Sequence, residues 1–226
     1  MNKAHEAGID GDQYVQEQSL EGWLCNRPTG ESRATLILAH GAGAPMDSEF
    51  MQYMAQHLAA RGITVVRFEF AYMATRRLDG KKRPPNPQAQ LLEQWRELYR
   101  QVRQQVSGPL AIGGKSMGGR MASLLADELN AAALVCLGYP FYPAGKPEKP
   151  RVAHLAQLRT PALIIQGERD ALGNRQAVAG YTLSDSIKLR WLTAGDHDLK
   201  PLKSSGLSHQ QHLLSAADAI AAFLCG

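Results

Sequence analysis

No apolar run in this 226-residue chain reaches the ~18 residues that would suggest a membrane-spanning helix. The opening stretch, MNKAHEAGIDGDQY, has no apolar h-region, so no secretory leader is expected there. Cysteine is scarce, and Cys25, Cys136 and Cys225 stand far apart and in odd number. That spacing indicates neither a disulfide framework nor a zinc site, and no metal or cofactor is expected. Cys136 lies within the apolar run 132–137 and reads as a buried small hydrophobe. A reducing cytoplasm is the expected compartment. An excess of one charge is missing too. The 25 basic and 21 acidic residues leave only +4, too little and too scattered to argue for nucleic acid. There is no internal repeat and no low-complexity tract. With 44% hydrophobic and 20% charged residues, the composition excludes a disordered chain. The length suits one domain, residues 1–226, able to bury a full core and shape a pocket.

What is present is a rhythm. Short apolar runs at 34–39, 64–68, 110–112, 132–137, 162–165 and 188–192 are continuous rather than alternating. Such runs suit strands covered on both faces, as in a parallel sheet. Between them lie segments with helical spacing at 48–60, 88–106, 117–129 and 209–223. Residues 14–24 are expected to add one or two antiparallel strands at the sheet edge. Strand and helix in repeated alternation predict a doubly wound α/β sandwich. Residues 71–87 and 139–155 are rich in Pro, Gly and charge and are expected to be loops. Both follow strands at the edge where an open α/β sheet places its ligand crevice. Neither is long enough for a lid domain, so the crevice should be open.

The sharpest motif is Gly114-Lys115-Ser116-Met117-Gly118, directly after one strand and before one helix. A serine hydroxyl is a poor nucleophile unless exposed, aimed and paired with a base. A tight strand-to-helix turn aims it, and glycines flank it because a Cβ there would clash. The helix N-terminus offers free N–H groups, so Met117 N–H can hold an oxyanion. The letters Gly-Lys-Ser also end a phosphate-binding loop. That motif needs glycine at Pro109, however, and its loop would be the strand-like Leu-Ala-Ile at 110–112.

Three further elements sit just past strand ends. His40-Gly41-Ala42-Gly43-Ala44 is a turn of small residues that can expose N–H groups, Ala42 being the expected second oxyanion donor and Gly43 its neighbour. His40 reads as a structural hydrogen-bonder. Gly167-Glu168-Arg169-Asp170 supplies a carboxylate to accept an imidazole N–H, with Asp170 preferred over Glu168. Gly195-Asp196-His197-Asp198 supplies the base. Of the seven histidines, His5 falls in the N-terminal tail, His57, His209 and His212 on helices, and His154 in a loop. Only His197 stands past a strand end and after both Ser116 and Asp170.

Over residues 36–223 the chain resembles the α/β-hydrolase superfamily, whose order of triad residues is Ser, Asp, His. The combination HGAGA, GGKSMGGRMAS, QGERDALG and GDHDLK is similar to dienelactone-hydrolase-like enzymes and, more closely, to a testis-expressed-protein-like predicted hydrolase branch. The resemblance implies a single-domain α/β-hydrolase fold with a mostly parallel twisted sheet, helices on both faces and minimal or no lid. It implies a hydrolase without implying a substrate. Dienelactone hydrolases themselves resemble a cysteine-nucleophile pattern, whereas position 116 is serine.

The expected chemistry is acyl transfer on an ester, thioester or related bond of a small molecule, with Ser116 as nucleophile, His197 as base and Asp170 orienting it. Gly43, Tyr72, Met73, Tyr139 and Phe141 are the expected substrate-binding residues. Arg76, Arg77, Lys81, Lys82 and Arg83 form a basic cluster, read either as a solvated loop or as a selector for an anionic group. The alternative function is a catalytically silent scaffold that binds an acidic partner through that loop.

Overall fold

A computed structural model describes residues 14–18 and 22–226. The leader expectation and His5 fall outside that set. The strands are β1 (Tyr14–Gln18), β2 (Leu24–Pro28), β3 (Ala34–Ala39), β4 (Ile63–Phe68), β5 (Leu110–Lys115), β6 (Leu134–Leu137), β7 (Ala162–Gly167) and β8 (Ile187–Leu192). They form one sheet in the order β1-β2-β4-β3-β5-β6-β7-β8. Strands β3 to β8 run parallel, while β1 and β2 form an antiparallel edge.

The apolar runs are uniform because both faces of the sheet are covered, and period-2 alternation sorts the side chains. Ile37, Ile112, Cys136 and Ile164 face one core with Trp95, Leu98 and Met121. Leu36, Leu38, Val135 and Ile165 face the other with Met51, Met54, Leu213 and Ala217. The first core is covered by α3 (Gln88–Gln105) and α4 (Met117–Leu125), the second by α1 (Glu49–Ala59) and α6 (His209–Cys225). Burying each of these side chains contributes about 1.5–3 kcal/mol, so the sheet is fixed in register by two independent cores.

The register brings the strand ends together. Ala39 pairs with Gly114, Lys115 with Leu137, Leu137 with Ile165, and Gly167 with Leu192. The segments that follow these residues therefore emerge along one edge.

One expectation fails. Residues 71–87 are not one loop: Ala71–Asp79 forms a helix, α2, stopped by Gly80 at φ 71°. The proline and glycine content that suggested a loop begins only at position 80, and upstream of it Tyr72 and Met73 give the helix a buried face. Residues 139–155 are largely irregular, closing in a short 3₁₀ turn at Ala153–Gln157 that carries His154. A four-residue helix, α5 (Arg175–Val178), follows the β7 loop, and among the described residues no lid domain is inserted.

Candidate active site

Ser116 stands between β5 and α4 at φ 51° and ψ −116°, a conformation that side-chain-bearing residues adopt only when the surroundings enforce it. The enforcement is steric. A Cβ on Gly114 would lie 2.6 Å from the Ala39 carbonyl oxygen, and one on Gly118 would lie 2.6 Å from the carbonyl oxygens of Ala39 and His40. Only glycine lets α4 start this close to the end of β3. The Ser116 N–H donates to the Leu137 carbonyl at 2.9 Å, which ties the turn to β6.

Three side chains meet here. Ser116 Oγ lies 2.9 Å from His197 Nε2, and His197 Nδ1 lies 2.8 Å from Asp170 Oδ2. With the Nδ1 proton donated to the carboxylate, Nε2 is left free to accept the serine proton. Asp170 is fully buried and also accepts from Gln166 Nε2 and Leu172 N–H, each at 2.8 Å. Those donors satisfy the carboxylate and fix its direction. Glu168, the alternative, faces elsewhere: it accepts from Ala194 N–H and pairs with Arg175 at 2.7 Å.

The Gly41–Ala44 turn is held by its carbonyls. His40 Nδ1 donates to the Gly41 carbonyl at 2.7 Å, while His40 Nε2 accepts from Phe70 N–H at 3.1 Å. Burial pushes the His40 pKa down, which keeps this tautomer neutral. The Tyr72 hydroxyl donates to the Ala42 carbonyl and Arg76 Nη1 to the Gly43 carbonyl, each at 3.0 Å. In a trans peptide C=O and N–H point in opposite directions. His40 thereby sets the direction of Ala42 N–H, and Tyr72 that of Gly43 N–H.

This corrects the expected substrate-binding set. Tyr72, Met73, Tyr139 and Phe141 are all buried in the first core rather than placed along the cleft. Tyr72 braces the turn through its hydroxyl. The Tyr139 N–H donates to Gln166 Oε1 and its carbonyl accepts from Gln166 Nε2, while its hydroxyl donates to the Arg151 carbonyl at 2.9 Å. Phe141 meets Tyr139 edge to face and stacks on Tyr181. Their positions past strand ends are as expected, but their side chains turn back over the sheet. Gly43 does line the cleft beside Ser116.

The cleft holds about 400 Å³ and is bordered by the Gly41–Ala44 turn, Phe50, Lys115, His197 and Asp198. Lys115 was missed as a site residue. It is buried, donates from Nζ to the His197 carbonyl at 2.7 Å and pairs with Asp198 at 3.2 Å. Burial pushes its pKa down against the pull of Asp198. Burial would raise the Asp198 pKa, but Lys115, together with His197 and His209, offsets it and holds the carboxyl below its ordinary value. A lysine closing an otherwise apolar strand was the available signal.

Two of the five residues in the basic cluster are paired with carboxylates. Arg77 pairs with Asp47 and Glu69, and Arg83 pairs with Asp79. Among the described residues no group of three or more His, Cys, Asp or Glu side chains could hold a metal ion. Nor is any helix there long and apolar enough to cross a membrane.

Residues 32–225 match the family model described as alpha/beta hydrolase domain. The chain belongs to that family. The fold of this alpha/beta hydrolase is shared by an alpha-beta serine hydrolase homologue from Coxiella burnetii, with 18% identity, 96% of this chain and 99% of that chain covered, and a TM-score of 0.68. It is shared by a dienelactone hydrolase from Anabaena variabilis, with 18% identity, 93% and 97% covered, and a TM-score of 0.70. A Xanthomonas campestris serine hydrolase described as lacking a lid gives 20% identity, 92% and 94% covered, and 0.63. At these identities the likeness is one of fold. Among the described residues this alpha/beta hydrolase is a single-domain α/β structure with no inserted lid.

Proposed function

We propose that the chain is a serine hydrolase that cleaves an ester, thioester or related acyl bond of a small molecule. The observation that carries this reading is the continuous relay from Ser116 Oγ through His197 to the buried Asp170, at 2.9 and 2.8 Å. His197 takes the serine proton as Oγ bonds to the substrate carbonyl carbon. The oxyanion is held by the N–H groups of Met117, in the first turn of α4, and of Ala42. Asp170 stabilises the imidazolium. His197 then protonates the leaving alcohol or thiol as its bond to the carbonyl carbon breaks. Water, deprotonated by His197, attacks the acyl-enzyme and releases the acid and Ser116.

No cofactor enters this scheme. A reducing cytoplasm suits the three described cysteines, which are free thiols. The scaffold reading draws less support, because the carboxylate partners of Arg77 and Arg83 remove much of the charge that would recruit an acidic partner.

The test is turnover of matched acetyl esters and acetyl thioesters by the wild type and Ser116→Ala. Hydrolysis of either by the wild type, lost in the variant, is expected. Equal background rates for both proteins contradict the proposal.

A further inference from the structure

The cleft at Ser116 does not end at the catalytic side chains. Ala44, Ser48, Phe50 and Asp198 line it and also line a second cavity of about 610 Å³. That cavity runs between α1 and the start of α6, against Phe50, Tyr53, Gln210 and Leu213. Its volume is within the range of sites that hold drug-sized ligands. An acetyl group needs none of this room.

The walls state what would fit. Ala44, Phe50, the Tyr53 ring and Leu213 are apolar, and Ser48, Glu49, Asp198, His209 and Gln210 supply the polar groups. The Tyr53 hydroxyl, close to the Gln210 side chain, is buried without a hydrogen-bond partner. The acidic groups on the wall are Glu49 and Asp198, and no arginine or lysine lines it. Asp198 is paired with Lys115, which borders the Ser116 cleft, and the His209 ring donates to the Asp198 carbonyl at 2.8 Å. An anionic chain end would meet Glu49 without a countercharge in the cavity. The wall therefore disfavours an anionic group of the kind that the basic residues 76–83 would select if they were more than a solvated loop.

The geometry points to this cavity as the binding site for a long, uncharged apolar arm of the substrate, continuous with the bond cleaved at Ser116. The inference rests on the serine hydrolase reading for the cleavage and on the cavity walls for the arm. The arm belongs either to the acyl group or to the leaving alcohol, and the two are told apart by experiment.

Binding and turnover are measured separately so that either half can fail alone. In the Ser116→Ala chain, calorimetry is expected to show octanamide binding at least about tenfold tighter than acetamide, and tighter than octanoate. Ala44→Trp and Gln210→Trp, both at exposed positions, are expected to remove that difference by filling the passage and the cavity. In the active chain, kcat/KM is followed through p-nitrophenyl esters from acetyl to octanoyl, and through acetate esters of ethanol to octanol. A rise of about tenfold or more with length in the first series assigns the acyl arm, and in the second the alcohol arm. Either tryptophan variant should cut the long substrate about tenfold more than the short one. Equal binding of octanamide and acetamide, preference for octanoate, or tryptophan variants that leave length dependence intact would each overturn the inference. Absence of turnover alongside tight octanamide binding would instead sink the hydrolase reading and leave the cavity assignment standing.

Discussion

The two turns that meet at the candidate active site share close backbone packing and differ in what side chains add to it. The turn bearing Ser116 is fixed by backbone contact, since Gly114 and Gly118 sit where any Cβ would strike a neighbouring strand's carbonyl oxygen. The turn bearing His197 is packed as closely, since a Cβ on Gly167 would lie 2.2 Å from the Asp196 carbonyl oxygen and one on Gly138 2.7 Å from the His197 carbonyl oxygen, but it is also clamped by side chains from elsewhere. Lys115 holds the His197 carbonyl and Asp198, His209 holds the Asp198 carbonyl and His212 the Leu199 carbonyl. Steric fixation is rigid and local. Fixation by hydrogen bonds and an ion pair is adjustable and depends on residues far away in sequence. A nucleophile must be held at one angle, whereas a base that moves a proton in two directions tolerates a softer mount.

Substitutions can break this contrast. Asp170→Asn keeps the shape but inverts the tautomer that His197 needs, so kcat should fall about 10⁴-fold in an ester assay. Gly118→Ala places a methyl against two carbonyl oxygens, and about 3 kcal/mol of stability should be lost, lowering Tm by about 10 °C. Lys115→Met removes the clamp on the His197 turn. Its kcat should fall roughly 10- to 100-fold with KM changed less than about threefold, as expected for a group that positions the base without touching substrate. Tyr72→Phe frees the Ala42 carbonyl and with it the orientation of the Gly43 N–H, next to the oxyanion donor Ala42, and should lower kcat about fivefold without loss of fold. Asp198→Asn should cost only about two- to threefold in kcat, because that carboxylate is mostly exposed and its pair is solvent-screened. If Lys115→Met lowers Tm as much as Gly118→Ala does, the two turns are mounted alike and the contrast fails.

The same contrast explains what could be read from the sequence. The sheet was legible because its central strands are continuous apolar runs, and the register of β3, β5, β6 and β7 follows from burying both faces, whereas the edge strand β8 alternates with Lys188 and Arg190 exposed. Ser116, Asp170 and His197 stood out because each lies one to five residues past a strand end, flanked by the glycines a tight turn requires. The aromatic residues stood at similar positions, but where a side chain points past a strand end depends on the next turn of chain. Tyr72 turns inward because α2 forms, and α2 was hidden by reading the proline-rich residues 80–87 together with the helix before them. Lys115 was overlooked for another reason. Its partners, His197 and Asp198, lie more than eighty residues away, so only the folded chain shows why a cation closes an apolar strand.

The most direct measurement is the intact mass of the protein after exposure to a fluorophosphonate, with Ser116→Ala and His197→Ala alongside. The account predicts one adduct on the wild type, mapped to Ser116 and absent from both variants. A folded wild-type protein that takes up no adduct, or takes it up at another residue, would contradict it.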